Sequence, residues 1–225
     1  MAGRGGGGLP SGYTAYDWVQ ADDTTGYPHI RIGLYPNRST EWEFEGDFAR
    51  TADFPAAWTS RSIFNKDNHA NYDSNYALRK FANSVNKICG NYNSRDNASS
   101  YSIQSNVAIN VGEWHHFVLG AADNITYGGS LAIDDTIATY DNATRGNVAN
   151  KELVLLYNEN GDGYPCRFAE FKATFEGALV ADLIPAMRDA DSVVGFYDVV
   201  RNTFYAPTTE GVTLLCGYGF DNFNA

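Results

Sequence analysis

The chain has 225 residues, and its 16 basic and 27 acidic residues give a formal net charge of −11. This acidic balance argues against binding of nucleic acid or of an anionic membrane through a broad basic face. No apolar run reaches the roughly 18 residues of a membrane-spanning helix, and no apolar segment of a secretory signal follows Met1. The length suits one all-β domain that buries its own core, with synthesis and folding in a cytoplasm.

The chain begins with a glycine-rich segment, residues 1–8, that contains no core-forming side chain. Such a composition predicts a flexible arm. Two interpretations stay open, a disordered tail and a peptide arm that becomes ordered against a neighbouring subunit. In the second interpretation the docking residues are Arg4, Gly5, Gly6, Gly7 and Gly8. Residues 9–225 are assigned to a single domain.

Alternation of apolar and polar residues, the pattern of a half-buried strand, occurs at Ile30–Leu34 and is clearest over Glu41–Phe48. In the second segment the aromatic residues share one face: Trp42, Phe44 and Phe48. The opposite face is acidic and carries Glu41, Glu43, Glu45 and Asp47. We expect the aromatic face in the core and the acidic face in solvent, where its charges prevent aggregation between strands.

Strands separated by polar loops continue through the middle of the chain. The predicted strands are Tyr76–Phe81, Lys87–Tyr92, Tyr101–Val111 (straight or bent), Trp114–Leu119, Ser130–Ile133 and Ile137–Tyr140. The loops Asn65–Tyr76 and Asn93–Ser100 are rich in Asn, Asp and Ser, which favour turns at the surface. The last two strands are expected to form a hairpin across Asp134-Asp135.

The stretch from Lys151 to Pro207 also consists of predicted strands and turns. Leu153–Tyr157 is apolar and long enough for one buried strand, and Ala169–Phe175 alternates with a period of two. Helical character is limited to Ala186–Ala190. With roughly a dozen strands and no internal repeat, the simplest architecture is an antiparallel sandwich of two sheets.

Five short motifs follow one another along the chain: Leu9–Thr14 (LPSGYT), Gly112–His115 (GEWH), Asp182–Pro185 (DLIP), Gly195–Asp198 (GFYD) and Phe204-Tyr205. In order and spacing they resemble the concanavalin A-like (LamG-like) jelly-roll domains of phage and gut-bacterial proteins. The resemblance implies an all-β, two-sheet antiparallel jelly-roll sandwich. One departure is Ile133-Asp134-Asp135, where the family has Ile-Asp-Gly, and an acid in place of glycine implies a different turn type.

This domain type is attached to many proteins, so the resemblance is specific for fold rather than for function. The phage-type motifs and the glycine arm favour a non-enzymatic virion protein, such as a capsid decoration, head-fibre or tail-fibre protein. Its expected partners are other virion proteins such as the major capsid protein, with self-association into a homo-oligomer, and its expected location is the virion. The alternative is a carbohydrate-binding, lectin-like module of a bacterial surface or secreted protein. The two roles overlap if a virion protein binds host or mucosal glycans.

Sugar sites in such sandwiches use an exposed aromatic ring as a stacking platform and Asn or Asp as hydrogen-bonding partners. Aromatic residues in or beside the polar loops suit this role: Trp58, Tyr72, Tyr76 and Tyr92. Local packing is the alternative role for each of them. The remaining tryptophans, Trp18, Trp42 and Trp114, lie in strand patterns and are predicted to be core residues.

Catalysis is one interpretation of the acidic ladder on Glu41–Phe48. Some glycosidases with this jelly roll place their acid and nucleophile on alternate residues of one strand, with the carboxyl groups about 5–5.5 Å apart. The pattern of those enzymes, an Asp between two catalytic Glu, is missing here, and the aromatic face opposite is expected in the core. We therefore predict that the protein is not an enzyme.

Calcium is the ion that related lectin-type domains often hold through oxygen ligands. Segments rich in Asn and Asp supply suitable oxygens: Asn65–Asn75, Asp123-Asn124, Asp134-Asp135, Asp141-Asn142 and Asn158–Asp162. The same residue types are ordinary turn formers, and no ligand set emerges from them. We therefore predict no metal or cofactor, with calcium as the alternative. His115 and His116 are expected on opposite faces of a strand and cannot chelate one ion.

Three cysteines, Cys89, Cys166 and Cys216, lie in apolar, strand-like surroundings. Their spacing matches no zinc site. Because no export signal is visible, they are predicted to be buried free thiols, with a Cys166–Cys216 disulfide as the alternative.

Overall fold

The computed structural model describes residues 8–21, 28–36, 41–53, 62–66, 77–80, 86–95, 98–121, 129–140, 152–156 and 166–220. These residues form seventeen β-strands and no helix. In chain order the strands are β1 Tyr13–Ala15, β2 Trp18–Ala21, β3 Ile30–Arg31, β4 Trp42–Arg50, β5 Ser62–Lys66, β6 Ala77–Lys80, β7 Ile88–Arg95, β8 Ala98–Gln104, β9 Trp114–Ala121, β10 Gly129–Ile133, β11 Thr136–Tyr140, β12 Leu153–Leu155, β13 Cys166–Phe175, β14 Ala178–Arg188, β15 Val193–Asp198, β16 Thr203–Tyr205 and β17 Leu214–Gly217. Within these ranges no helix is long and apolar enough to cross a membrane.

The strands form two antiparallel sheets that pack face to face. The larger sheet has eleven strands in the order β11-β10-β9-β4-β13-β14-β15-β16, with β1, β2 and β17 joined to its middle, and the smaller sheet has six in the order β3-β12-β5-β6-β7-β8. Both sheets contribute to one core, which includes Phe44, Phe117 and Phe171 from the larger sheet and Phe64 and Leu155 from the smaller. The predicted all-β sandwich is confirmed.

The centre of the larger sheet is completed by the N-terminal strands. β13 and β14 pair along Phe171–Phe175 and then diverge. Beside β14 lies β1, with Ala15 opposite Ala186, and beside β13 lies β2, with Val19 opposite Phe168. β17 then pairs with the free side of β2. Strands that are far apart in the sequence therefore meet at the middle of this sheet.

A β-bulge in β13 shapes the sheet next to β4. The register between these strands shifts between Phe168 and Phe171, so the bulge contains Ala169 and Glu170. A Cβ atom on Gly46 would lie 2.3 Å from the carbonyl oxygen of Glu170. Only glycine therefore fits opposite the bulge, which re-aims the side chains of β13.

The N-terminal and C-terminal motifs that carry the family resemblance contact one another. The ring of Tyr13 lies 4.8 Å from that of Tyr197 and 5.3 Å from that of Phe204. A Cβ atom on Gly195 would lie 2.1 Å from the carbonyl oxygen of Tyr205, so this glycine allows β15 and β16 to pair closely. These residues hold β1 against the C-terminal strands, and the motifs thus build the fold.

A buried ion pair joins the two sheets near the same motifs. The carboxylate of Asp198 is fully buried and accepts hydrogen bonds from the backbone N–H groups of Asp182 and Val200. Nε of Arg201 donates a further hydrogen bond to it. The same guanidinium donates to the carbonyl oxygen of Ile32, at 2.7 Å. Because Ile32 follows β3, the ion pair ties the edge of the larger sheet to the smaller one.

The strand β3 is shorter than the alternation of Ile30–Leu34 predicts. It ends at Arg31 because Gly33 adopts a left-handed conformation, with φ of 63°. The N–H of Gly33 donates to Oε1 of Glu152 at 2.7 Å, and the N–H of Leu153 donates to the carbonyl oxygen of Leu34. The segment therefore stays attached to the start of β12 without continuing as a strand.

The helical character predicted for Ala186–Ala190 is wrong. Residues up to Arg188 belong to β14 and pair with β1 on one side and β15 on the other. Residues 189–192 form a turn. Pairing with two neighbouring strands outweighs the helix propensity of Ala, Met and Arg.

The polar segment Asn93–Ser100 is not the loop predicted for it. β7 continues to Arg95 and β8 starts at Ala98, so most of the segment is a hairpin. The strand predicted over Tyr101–Val111 ends at Gln104, after which Oγ of Ser105 donates to the carbonyl oxygen of Val107 and fixes a bend.

The hairpin of β10 and β11 is confirmed, with Ile133 opposite Thr136. Its turn residues Asp134 and Asp135 have φ values of 49° and 65°. Two successive positive φ values are the pattern of a type I′ turn, which Asp-Gly also favours. The change of turn type expected from the second acid is therefore wrong.

The cysteines agree with the prediction of free thiols. Cys89 and Cys166 are buried, and Cys216 is partly buried. The alternative disulfide between Cys166 and Cys216 is not formed.

Candidate functional site

The residues of the larger sheet that point away from the smaller sheet form what we call the outer face. Alternation along β4 buries Trp42, Phe44 and Phe48 in the core, as predicted. It places Glu45 and Asp47 on the outer face. Their side chains are only 36% and 18% exposed, so they are not the freely solvated charges that the sequence predicts.

These two carboxylates belong to a group of charged side chains from three adjacent strands, which we call the polar cluster: Glu45, Asp47, His116, Glu170 and Lys172. The cluster follows from strand register, since β4 places Asp47 opposite His116 of β9 and Glu45 opposite Lys172 of β13. Cross-strand neighbours of this kind lie within reach of one another.

The contacts within the polar cluster are short. Nδ1 of His116 lies 2.8 Å from Oδ1 of Asp47, and Nε2 lies 3.8 Å from Oε1 of Glu45. Nζ of Lys172 lies 3.0 Å from Oε1 of Glu170 and 3.6 Å from Oε1 of Glu45. The cluster thus combines three carboxylates with one ammonium group and one imidazole.

The surroundings of His116 favour its charged form. The hydrogen bond to Asp47 raises the pKa of His116 above 6.5, and the negative charges of Asp47 and Glu45 act in the same direction. Burial and the charge of Lys172 oppose this rise without cancelling it. The outer face therefore offers both hydrogen-bond donors and acceptors at its centre.

His115 lies on the opposite face of β9, as predicted. It is buried, and its Nδ1 lies 2.7 Å from Oδ2 of Asp134. The other oxygen of Asp134 accepts the backbone N–H of His116 at 2.9 Å. The Asp134 carboxylate therefore orients this part of β9, and the two imidazoles do not converge.

The described residues contain no group of three or more His, Cys, Asp or Glu side chains placed to hold a metal ion. Asp134-Asp135 is a hairpin turn. The other segments considered for calcium, Asn65–Asn75, Asp123-Asn124, Asp141-Asn142 and Asn158–Asp162, lie wholly or mostly outside the described residues.

Next to the polar cluster lies a second group, which we call the aromatic cluster: Trp18, Trp114 and Phe220, packed on Ala49 and Ala169. Trp114 stands opposite Ala49 on the outer face, one step along the strands from the pair of Asp47 and His116. The rings of Trp114 and Phe220 are 4.9 Å apart at an interplanar angle of 69°. Trp114 is 9% exposed.

The prediction that the three strand tryptophans lie in the core needs correction. Trp42 does lie between the sheets. Trp114 is buried, but on the outer face beneath Phe220, and Trp18 packs partly buried against the same group. Because Trp114 has the same strand parity as His116, it points away from the core.

Arg167 of β13 borders the aromatic cluster. Its guanidinium carbon lies 4.0 Å from the ring centroid of Trp18, a cation–π contact, and its Nε donates to Oε1 of Gln20 at 3.4 Å. Burial lowers the pKa of Arg167. The outer face thus presents aromatic rings flanked by charged groups at both ends.

The residues proposed from sequence for sugar binding are not brought to this site by the described structure. Trp58, Tyr72 and Tyr76 lie outside the described residues, and Tyr92 is described only as part of β7. Of the proposed docking arm, Arg4, Gly5, Gly6 and Gly7 also lie outside, and Gly8 has φ of 133°. These predictions are neither confirmed nor contradicted.

No protein-family model matches the sequence, and no curated protein matches it. Solved structures do match. Domains LG4-5 of the mouse laminin α1 chain superpose with a TM-score of 0.56 at 12% identity, covering 92% of this chain and 48% of that one. A heptameric SAP-like pentraxin from Limulus polyphemus has a TM-score of 0.57 at 11% identity and covers 92% of this chain and 97% of its own.

A third similar structure is a Bacteroides ovatus protein proposed to bind carbohydrate, with a TM-score of 0.57 at 8% identity. The match covers 92% of this chain and 62% of that protein. The three structures share the concanavalin A-like jelly-roll fold, and this chain has the same fold, as the resemblance predicted. At these identities the likeness establishes the fold alone.

Proposed function

We propose that this chain is a non-catalytic carbohydrate-binding domain whose binding surface is the outer face of the larger sheet. The observation that carries the proposal is the adjacency of the two clusters. The Ala49–Trp114 pair and the Asp47–His116 pair are consecutive on this face. Such residues are about 6.6–6.8 Å apart along a strand. Aromatic side chains, with Phe220 over Trp114, and a set of charged hydrogen-bonding groups therefore lie next to one another on this face.

The chemistry of the two clusters suits a sugar. An aromatic ring packs against the C–H face of a sugar ring, while a few polar groups bind the hydroxyls and fix its orientation. Lys172 and His116 supply donors, and Asp47, Glu45 and Glu170 supply acceptors. All five belong to strands of one sheet, so the surface is preorganised.

The same contacts favour binding over catalysis. A glycosidase acid has to carry a proton when it meets its substrate. Here Glu45 lies beside both Lys172 and His116, and Asp47 is hydrogen-bonded to His116. Both carboxylates are thus paired with basic groups of the polar cluster, an arrangement that suits a binding surface better than a free catalytic acid.

The structural comparison supports the proposal without establishing it. The Bacteroides ovatus protein, itself proposed to bind carbohydrate, shares the fold over 92% of this chain. Because the two sequences are only 8% identical, no binding residue of that protein can be assigned to this chain.

A panel of neutral, amino and acidic glycans, probed with the purified full chain, tests the proposal. We expect at least one glycan to bind, and the substitution Lys172→Met to weaken that binding by about tenfold, since a lost hydrogen bond to a charged group costs about 1.5–3 kcal/mol. Glu210→Gln, which removes a carboxylate from an exposed turn outside both clusters, is the control and should leave binding unchanged. Absence of binding across the panel would overturn the proposal. Unchanged affinity of the Lys172 variant would show that the glycan does not bind at the polar cluster.

The virion role predicted from the sequence is a second candidate, favoured by the phage-type motifs and the glycine arm. The comparisons add no support to it, and the motif residues form packing contacts within the fold. Virion partners, self-association and the virion location belong to this candidate.

Co-sedimentation of the full chain with phage capsids that lack it tests this second role, alongside a chain without residues 1–8. Saturable binding that is lost with residues 1–8 would support both the role and the arm. Binding that survives the deletion would support the role but place docking on the sandwich. If the chain does not sediment with the capsids, the virion role is excluded.

A further inference from the structure

Residues 218–220, which follow β17, form a short segment that we call the strap. Its last described residue, Phe220, packs on the ring of Trp114 at 4.9 Å. Its first residue, Tyr218, is 68% exposed, and its ring centroid lies 4.9 Å from that of Tyr16. The strap therefore covers part of the aromatic cluster.

The strap is attached to the sheet mainly through one residue, Asp17. The backbone N–H of Asp17 donates to the carbonyl oxygen of Gly217 at 2.9 Å, which anchors the end of β17. Beyond that point, the N–H of Gly219 donates to Oδ2 of Asp17 at 2.7 Å. Gly219 has φ of 87°, a conformation that favours glycine, and a Cβ atom there would meet no neighbouring atom within 4 Å. The strap is thus open around Gly219, between the ring contacts of Tyr218 and Phe220.

The rings beneath the strap have hydrogen-bonding capacity that the described part of the chain does not use. Nε1 of Trp18 and Nε1 of Trp114 are both buried, and neither has an acceptor among the described residues. Buried donors without a partner are rare and costly in folded proteins. Both indoles belong to the aromatic cluster, so this face has two N–H donors that a bound ligand can satisfy.

We infer that Phe220 occupies a sugar-ring subsite formed by Trp114 and Trp18, and that displacement of the strap opens this subsite to the ligand. The inference rests on the proposed function of the outer face. Phe220 meets the Trp114 ring at 69°, an edge-to-face contact, and a pyranose likewise places C–H groups against an indole face. A sugar in place of Phe220 also brings hydroxyl oxygens that can accept the two indole N–H groups.

Displacement of Phe220 would connect the subsite to the polar cluster. Trp114 lies two residues from His116 on the outer side of β9. Once Phe220 leaves, the aromatic cluster and the polar cluster form one continuous surface, long enough for more than one sugar unit. With Phe220 in place, the ligand has the polar cluster and only the edge of the aromatic cluster.

The substitution Phe220→Ala tests the inference in two ways. Acrylamide quenching of tryptophan fluorescence should increase, and the increase should disappear when Trp114→Phe is added, which assigns it to Trp114. Affinity for a glycan that the unmodified chain binds should rise by about tenfold if the open state is populated at about a tenth, because apparent affinity scales with the competent fraction. Leu215→Ala, which removes an exposed side chain from β17 ahead of the strap, is the matched control and should change neither readout.

The outcomes separate this inference from the proposed function. Unchanged quenching in a variant with unchanged thermal unfolding would show that Phe220 does not shield Trp114, and would overturn the inference whether or not a glycan binds. Increased quenching with unchanged or weaker glycan affinity would also overturn it, while leaving the proposed function in place. If no glycan binds the unmodified chain or the Phe220 variant, the proposed function fails and the subsite fails with it.

Discussion

The imidazole of His116 and the carboxylate of Asp47 face each other across β9 and β4, with Nδ1 and Oδ1 2.8 Å apart. This contact makes stability depend on pH. Because the pKa of His116 is raised above its unfolded value of 6.5, the folded protein binds the proton more tightly than the unfolded chain does. The extra stability is fully present below pH 6.5 and is lost as pH rises through the folded-state pKa.

We therefore expect the substitution His116→Gln to lower the free energy of unfolding more at about pH 5.5 than at about pH 8. The change should stay below about 1 kcal/mol, because the side chain is partly exposed and solvent screens the pair. Urea unfolding of both chains at the two pH values measures it. His115 is unchanged in both chains, so the comparison isolates His116. A stability difference between the two chains that is larger at about pH 8 than at about pH 5.5 would contradict this role of the His116–Asp47 contact.

The glycine of the GFYD motif is expected to be required for packing. Gly195→Ala places a Cβ atom 2.1 Å from the carbonyl oxygen of Tyr205, which forces β15 and β16 apart. Overpacking of this kind costs about 1–3 kcal/mol or more. Gly120→Ala is a matched control in another strand of the same sheet, since its nearest neighbour would be 3.6 Å away. Urea denaturation should separate the two variants clearly, and equal stability would contradict this role of Gly195.

The ion pair of Asp198 and Arg201 is expected to be necessary because one partner is fully buried. Asp198→Asn leaves the guanidinium without its counter-charge and weakens the contact to Ile32, so we expect a loss of about 3–5 kcal/mol of stability. Arg188 and Asp191 form a pair with the same sequence spacing but an exposed position. Asp191→Asn should leave thermal unfolding nearly unchanged. Similar effects of the two substitutions would show that burial does not set the difference.

The free state of the three thiols can be tested by alkylation. Iodoacetamide added to the denatured chain without any reductant should modify all of Cys89, Cys166 and Cys216, giving three adducts by mass spectrometry. A single adduct would show that Cys166 and Cys216 form a disulfide. In the native chain Cys216 should react slowly, because burial raises its pKa and lowers its thiolate fraction, although a hydrogen bond with Tyr16 opposes that rise.

The sequence predicts the fold well where strand alternation is strong. The two faces of Glu41–Phe48 are separated correctly, because a period of two has only one solution once the aromatic side is buried. It fails where local propensity and tertiary pairing disagree. Ala186–Arg188 has the composition of a helix, yet two neighbouring strands hold it extended.

The candidate site is much less predictable than the fold. Its charged residues Asp47, His116 and Lys172 come from three strands that are remote in sequence, and only the register of the sheet brings them together. Alternation also shows that Trp114 shares a face with His116, but not that a distant residue, Phe220, covers it. A signal was present in the sequence, since the GEWHH segment places an aromatic and an imidazole on one side of a strand.

The insertion of β1 and β2 between β13 and β14 has a kinetic consequence. Ala15 pairs with Ala186, and Trp18 pairs with Gly217, so β1 and β2 find these partners only after most of residues 1–225 have been translated. Long closed loops of this kind raise contact order and slow folding. On the ribosome β1 and β2 therefore remain unpaired, and the larger sheet completes its middle only after β17 has emerged.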